Sequence, residues 1–168
     1  MPRTKRTEGQ LRIASDYLHY EYQMLIYLAN GMVSNFFGES SVRNAILEAY
    51  VIHVRNLIYF LYAEKPKNDH IVASDFFRFP DEWVKIRPQK SDSLKKAEVR
   101  SNKEVAHLSY DRAKVTPETK PWHFIDLANE IIGVFNIYLE NAPLELFGDR
   151  WSDFKKQREV KEGKTINE

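Results

Sequence analysis

The sequence predicts an all-α protein, an antiparallel four-helix bundle-like domain with a long aromatic-rich connection between its second and third helices. Three observations predict this fold. Apolar residues recur at intervals of three and four along four long segments, which is the spacing of one face of an α-helix. Ser, Pro and Asn stand at segment ends, where helices begin or end. No segment shows the alternation of apolar and polar residues that indicates a half-buried strand.

The first two helices are predicted over residues 8–35 and 42–63. The apolar positions of the first helix are Leu11, Ala14, Leu18, Leu25, Leu28 and Met32. The turn at residues 38–41 offers Ser40 or Ser41 as an N-cap for the second helix. Because the second helix is apolar on almost every side, it should lie in the centre of the core.

The connection that follows, residues 65–90, contains three prolines and a cluster of aromatic residues. A connection of this length and composition is expected to pack against the domain rather than extend into solvent. The third helix is predicted over residues 92–108 and the fourth over residues 121–139, with Pro121 in its first turn. A charged tail is expected from about residue 157.

Composition limits the classes of function. A chain of 168 residues with 43% hydrophobic residues suggests one domain, here residues 1–168. The formal net charge of +1 gives no overall attraction to nucleic acid, so binding to RNA would need a local basic patch. The absence of cysteine excludes thiolate metal sites and a cysteine nucleophile. No signal peptide or membrane span is predicted, and we expect a cytoplasmic protein.

The few polar residues of the second helix are informative. Glu48 and Arg55 lie on one stripe of this apolar helix, nearly two turns apart. They are placed either to form a buried ion pair that sets the helix register or to point into a shared cleft.

The main candidate for chemistry is the pair Arg100 and His107 near the end of the third predicted helix. Residues seven positions apart lie close to one helical face, where a cation can hold a phosphate and an imidazole can move a proton. The same spacing occurs at Arg12 and His19, so spacing alone does not select a site. The basic surroundings favour Arg100 and His107, and the alternative is a solvated helix face that ends in a histidine.

An all-helical bundle in which an Arg precedes a His near the end of a later helix resembles the HEPN superfamily, in which this motif typically forms a ribonuclease site. The polar residue that often follows the Arg in that family stands one position later here, as Asn102, and Ser101 occupies the usual place. Three segments, LEAYVIHVRNLIYFL, ASDFF and NKEVAHLSYDR, are also similar to a small bacterial family of hypothetical proteins, which implies no activity.

The resemblance to HEPN proteins implies a metal-independent endoribonuclease or RNA-binding domain, toxin-like or defence-related, that needs no cofactor and forms a homodimer. Arg100 would bind the scissile phosphate, and His107 would act as general base or acid at the ribose 2′-hydroxyl. The supporting residues would be Glu48, Arg55, Asn102 and Lys103.

A metal site is a competing hypothesis, because carboxylates and histidines spaced three apart resemble di-metal helical bundles. The candidate ligands are Asp16, His19, Glu48, Glu104, His107 and Glu130. In an antiparallel pair of helices, Asp16 and Glu48 would be roughly 15 Å apart along the axis, too far for a common metal. A mononuclear site at His19, His53 or His107 stays open.

The alternative function is a non-catalytic helical module that binds a protein partner. The first helix carries four tyrosines, Tyr17, Tyr20, Tyr22 and Tyr27. We interpret this group as core packing or a dimer surface in preference to a platform for stacking bases. Changes at Arg100 and His107 would be silent in such a module.

Overall fold

The computed structural model describes residues 3–34, 36, 41–107, 109–118 and 120–161, and within them the protein is all-α. Its α-helices are α1 (Glu8–Val33), α2 (Ser41–Tyr62), α3 (Pro80–Ile86), α4 (Asp92–Arg100), α5 (Phe124–Asn141) and α6 (Ser152–Lys161). A π-helical turn, Ser101–Ala106, follows α4 directly, and short 3₁₀ turns lie at Ala73–Phe76, Tyr110–Lys114, Leu144–Leu146 and Asp149–Trp151. These described ranges contain no strand, and the predicted fold class is confirmed.

The helix ends follow local chemistry. Thr7 begins α1 with a capping box, in which its hydroxyl accepts from the Gln10 N–H and its own N–H donates to the Gln10 side chain. Of the two proposed caps for the second helix, Ser41 is the first residue of α2, and Ser40 lies outside the described residues. The fourth predicted helix begins at Phe124, because Pro121 belongs to the extended segment before it.

The core lies where α1, α2 and α5 pack against one another, and α4 packs on α2. Leu25, Leu57 and Phe135 are fully buried there, one from each of the three long helices. The third predicted helix, over residues 92–108, is shorter than expected, because α4 has only nine residues and continues as the π turn.

The aromatic-rich connection packs against the domain, and it contains α3, which the sequence did not predict. Trp83 of α3 is buried, and its indole N–H donates to the Leu61 carbonyl at the end of α2 (2.8 Å). Phe76 is buried as well and contacts Tyr138 of α5. Burial of these large rings fixes the connection to the C-terminal end of α2.

The C-terminal part of the described chain folds back on α1. The Trp151 indole donates to the Ser15 carbonyl (2.8 Å), and the Gly148 N–H donates to the Ser15 hydroxyl (2.7 Å). Part of the predicted charged tail is helical, since α6 reaches Lys161, and the remainder lies outside the described residues. Within the described chain, no helix combines the length and hydropathy needed to cross a lipid bilayer.

Candidate functional site

The centre of the candidate site is a contact between α2 and the π turn. The Arg55 Nε–H donates to the Asn102 side-chain oxygen at 2.6 Å, which joins residues 47 positions apart in the chain. Both side chains are part-buried. Across the described residues, neither terminal nitrogen of Arg55 makes a hydrogen bond or an ion pair. An arginine that is anchored by Nε in this way presents its Nη1–Nη2 edge, which is the geometry that binds a phosphate or a carboxylate with two parallel bonds.

The π turn has a local cause in the sequence. In a continuous α-helix, the Glu98 carbonyl would accept from the Asn102 backbone N–H. Here the Ser101 hydroxyl and the Asn102 side-chain amide both donate to that carbonyl, at 2.9 and 3.0 Å. Side chains that compete for a helix carbonyl disturb the backbone ladder, and π turns often occur at functional positions. The widened turn directs Asn102 toward Arg55.

We call the line of contact between α2 and the continuous segment formed by α4 and the π turn the seam. The start of α4 is fixed at the end of this seam opposite Asn102. Lys90 pairs with Glu98 (2.8 Å), and its ammonium lies 5.2 Å from the centre of the Tyr62 ring. The segment therefore passes Tyr62 first and Arg55 afterwards, which makes α4 and the π turn antiparallel to α2. The chain beyond Asn102 consequently runs toward the N-terminal half of α2.

His107 lies just beyond the π turn, in extended conformation, and its side chain is exposed. The predicted helix over residues 92–108 is α-helical only to Arg100, so the α-helical spacing that placed Arg100 and His107 on one face does not apply. The following turn folds back on the π segment. The Ser109 hydroxyl donates to the Lys103 carbonyl (2.6 Å), and the Arg112 guanidinium donates to the Val105 carbonyl (3.1 Å).

Lys103, a predicted supporting residue, pairs with Asp111 in this folded-back turn. The two charged groups are 2.8 Å apart, and Lys114 approaches the same carboxylate. Hydrogen bonds from Lys103 and Lys114 lower the pKa of Asp111 to about 2. Part of the basic charge around His107 is therefore neutralised by an acid that stays ionised at any physiological pH.

Most of the N–H groups of Arg100 are engaged with other parts of the protein. Its guanidinium lies 4.1 Å from the centre of the Trp122 ring and binds both carboxylate oxygens of Glu104. It also donates to the backbone carbonyls of Lys120 and Pro121. These contacts occupy four of the five N–H groups of an arginine, so only one is left for another ligand. The arrangement fastens the π turn to the segment that enters α5.

Glu48 is exposed, and the ion pair that the sequence suggested between Glu48 and Arg55 is absent from the described structure. The reason is that Arg55 is directed sideways to Asn102. Glu48 nevertheless lies on the same side of α2 as Arg55, two turns nearer the N-terminus. Because the π turn runs antiparallel to α2, the chain between Asn102 and His107 also runs toward the N-terminal half of α2, where Glu48 lies.

Three of the candidate metal ligands, Glu104, Asp16 and His19, have separate partners. Glu104 binds Arg100, and Asp16 accepts from the backbone of Arg150 (3.4 Å). His19 lies edge-on against Trp151, with ring centres 5.0 Å apart. In the part of the chain that the structure describes, no three metal-binding side chains converge on one point.

A polar cluster that the sequence did not reveal joins α1 and α2. One carboxylate oxygen of Glu21 contacts His53 Nδ1 at 2.7 Å and accepts from the Asn56 amide at 3.1 Å. His53 is only 8% exposed, and the Tyr20 ring lies edge-on to it. His53 and Asn56 lie three positions apart on one side of α2, but their partner is 32 positions away from His53, and no spacing rule connects them.

The fold and the seam define an all-α domain with an anchored arginine at its surface. Comparisons with protein-family models, with curated proteins and with solved structures gave no match for the chain. The function therefore has to be argued from the geometry.

Proposed function

We propose that the protein is a HEPN-like RNA-binding domain that acts as a metal-independent endoribonuclease, with its phosphate site at Arg55. The observation that carries this proposal is the 2.6 Å hydrogen bond from Arg55 Nε to Asn102, which orients the guanidinium and leaves its Nη edge available. The resemblance in sequence supports the class, but the geometry favours Arg55 over Arg100 as the phosphate ligand. Arg100 has four of its five N–H groups occupied within the protein.

In this proposal, Arg55 binds two non-bridging oxygens of the scissile phosphate and stabilises the negative charge that develops during cleavage. His107 removes the proton from the ribose 2′-hydroxyl. The 2′-oxygen forms a bond to phosphorus, and the bond between phosphorus and the 5′-oxygen breaks. The 5′-oxygen takes a proton from solvent, and the products are a 2′,3′-cyclic phosphate and a 5′-hydroxyl. The step needs no oxidant, reductant or metal.

The neighbouring residues have supporting roles in this scheme. Asn102 positions Arg55, and the fold-back pair Lys103–Asp111 holds the turn that carries His107. Glu48 lies on the same side of α2 as Arg55, two turns nearer the N-terminus, and in this scheme it accepts a hydrogen bond from the ribose. In this scheme, Arg100 has a structural role and fixes the π turn to the segment before α5.

The decisive experiment measures cleavage of a mixed RNA substrate in the presence of a chelator. Arg55→Lys keeps the charge but loses the planar fork, and His107→Ala removes the base. Both should reduce the rate by about 100-fold or more, the usual scale for the loss of a donor to the developing charge or of a positioned base. The matched control for His107 is His123→Ala, because His123 is also exposed and lies outside the seam. Melting curves should show the stability of wild type for His107→Ala and His123→Ala, whereas Arg55→Lys loses the bond to Asn102 and should be less stable by about 1 kcal/mol.

Two results would contradict the proposal. If wild type neither cleaves nor binds RNA, the RNA-directed function fails. If His123→Ala reduces cleavage as much as His107→Ala does, the effect of His107 is not specific to the seam.

A homodimer is part of the proposal, since the resemblance implies that two copies of the site face each other. Light scattering coupled to size-exclusion chromatography measures this directly. A mass of two chains at micromolar concentration supports it, and a mass of one chain at the concentration at which RNA is cleaved contradicts it.

A second candidate function is a non-catalytic module that binds a helix of a protein partner, and a different observation favours it. Ile13, Tyr17, Tyr20 and Tyr27 form an exposed stripe on α1, with 62%, 65%, 48% and 56% of their surfaces accessible. Their separations of four, three and seven residues match the repeat at which helices pack in coiled coils. Exposed tyrosines are also frequent in the centres of protein interfaces. For this function, Tyr17→Ala and Tyr20→Ala should weaken binding of the partner equally. Substitutions at Arg55 and His107 should leave that binding unchanged.

A further inference from the structure

A groove of about 330 Å³ lies between α1, α2 and the start of the aromatic-rich connection. It reaches Arg55 on one side, so it adjoins the proposed phosphate site. Its volume is at the lower end of the range for small-molecule pockets, roughly 300–1,000 Å³, which suits one nucleoside and not a longer segment.

One end of the groove presents the carboxylate of Glu21. Oε2 of this carboxylate is held by His53 and Asn56, at 2.7 and 3.1 Å, while Oε1 makes no hydrogen bond among the described residues. Because both partners come from α2, the carboxylate is fixed before any ligand arrives. A fixed, partly buried oxygen of this kind selects a ligand that donates a hydrogen bond and repels one that presents a carbonyl.

The walls of the groove are aromatic. Tyr17 stands on the α1 side with 65% of its surface accessible, and Tyr59 stands on the α2 side. The Tyr59 hydroxyl is 2.8 Å from His70 Nδ1, which fixes the orientation of the Tyr59 ring. Accessible tyrosine rings stack on nucleobases. Asp69 on the rim adds a second carboxylate. The two carboxylates favour ligand groups that donate hydrogen bonds and repel a phosphate, which would therefore bind at Arg55.

We infer that this groove binds a nucleobase that carries an exocyclic amino group, with its amino group on Glu21 and its ring on Tyr17. The inference rests on the proposed function for the location of the phosphate at Arg55. It assigns Tyr17 to base stacking, whereas the sequence favoured packing or a dimer surface for the tyrosines of α1.

Cytidine and uridine provide matched probes, because an amino group in one is replaced by a carbonyl in the other. Titration calorimetry with the two nucleoside 3′-monophosphates should show about tenfold tighter binding of the cytidine compound. Glu21→Gln should remove this preference. Tyr17→Ala should weaken binding of cytidine 3′-monophosphate about tenfold, the usual scale of one stacked base. Tyr27→Ala is the matched control, since Tyr27 is exposed on the same stripe but does not line the groove.

The inference is overturned if both monophosphates bind equally to wild type, or if Tyr17→Ala and Tyr27→Ala have the same effect. Tyr17 is exposed, so its replacement tests the inference even if Glu21→Gln lowers the melting temperature. A different result is expected if the base-binding groove is correct but Arg55 does not bind the phosphate. In that case Arg55→Ala leaves the affinity for cytidine 3′-monophosphate unchanged, while the preference for cytidine over uridine and its dependence on Glu21 persist.

Discussion

Asn102 accepts a hydrogen bond from Arg55 Nε at 2.6 Å, and this contact connects the helix in the centre of the core to the π turn that precedes His107. An arginine of the core helix is thereby oriented by a residue whose own position depends on a local break in α-helical geometry. The side-chain amide of Asn102 is in turn held by the Glu98 carbonyl at 3.0 Å. Arg55, Asn102 and Glu98 therefore act as one unit.

The first prediction tests Asn102 as a positioning residue. Asn102→Ala removes the acceptor of Arg55 Nε, so RNA affinity should fall about tenfold while the free energy of unfolding falls by about 1–2 kcal/mol. Asn102→Asp keeps an acceptor for Arg55 Nε but loses the donor to the Glu98 carbonyl and adds a negative charge beside the phosphate site, so it should restore part of the stability and none of the affinity. Filter binding and urea unfolding measure the two quantities separately. If Asn102→Ala binds RNA as wild type does, Asn102 does not position a phosphate ligand.

The second prediction concerns Arg100, for which the structure indicates a structural role. Arg100→Ala removes the stacking on Trp122, the ion pair with Glu104 and two bonds to backbone carbonyls. We expect the free energy of unfolding to fall by about 2–3 kcal/mol. Arg78→Ala is a suitable control, because Arg78 is exposed and contacts only the neighbouring Phe79 ring among the described residues.

The opposite result for Arg100 would be equally informative. If Arg100→Ala keeps the stability of wild type but abolishes RNA cleavage, then Arg100 is the phosphate ligand, as its spacing from His107 first suggested. The assignment to Arg55 would then be wrong.

The class of fold could be predicted from the sequence, since apolar spacing on α1, α2 and α5 is set by the faces that these helices bury. Arg55 could be selected as a candidate because polar residues are few on the core helix, and Asn102 because the resemblance to HEPN proteins points to a polar residue after the Arg of the motif. Their contact could not be predicted, because it joins different helices across 47 positions. The α-helical spacing that placed Arg100 and His107 on one face ends after Arg100. There the side chains of Ser101 and Asn102 donate hydrogen bonds to the Glu98 carbonyl, and the α-helix gives way to the π turn.

The third prediction is a pH dependence of stability at His19. Burial, and then the nearby charge of Arg150, lower the pKa of His19, and Asp16 only partly opposes them. Other charged groups that face the same hollow are Glu140, Asp153, Arg158 and Lys161. Above the ordinary histidine pKa of about 6.5, His19 is neutral in both folded and unfolded chains. Below it, the unfolded chain binds a proton that the folded chain does not, so the free energy of unfolding decreases as the pH falls toward the lowered pKa.

His19→Gln should remove this contribution. Urea unfolding at pH 7.5 and pH 5.5 should show a smaller loss of stability for the variant than for wild type. An identical loss in both proteins would show that His19 does not contribute to the pH dependence.

The fourth prediction compares two buried tyrosines that differ in one respect. The Tyr138 hydroxyl is buried without a hydrogen-bond partner in the described structure, whereas the Tyr50 hydroxyl donates to the Phe124 carbonyl at 2.7 Å. Both side chains are fully buried, so replacing each by Phe keeps the ring in its packing. Removal of an unsatisfied buried hydroxyl relieves a desolvation cost, while removal of a satisfied one loses a hydrogen bond.

Tyr138→Phe should therefore leave the free energy of unfolding unchanged or raise it by up to about 1 kcal/mol, and Tyr50→Phe should lower it by about 1 kcal/mol. Urea unfolding of both variants beside wild type measures the difference under one set of conditions. The rings around Tyr138, among them Phe60 and Trp83, have centres 5.1 and 5.5 Å from it and contact the variant as they contact the native residue. A loss of stability in Tyr138→Phe equal to that in Tyr50→Phe would mean that the Tyr138 hydroxyl is hydrogen-bonded in solution, with a buried water as the simplest partner.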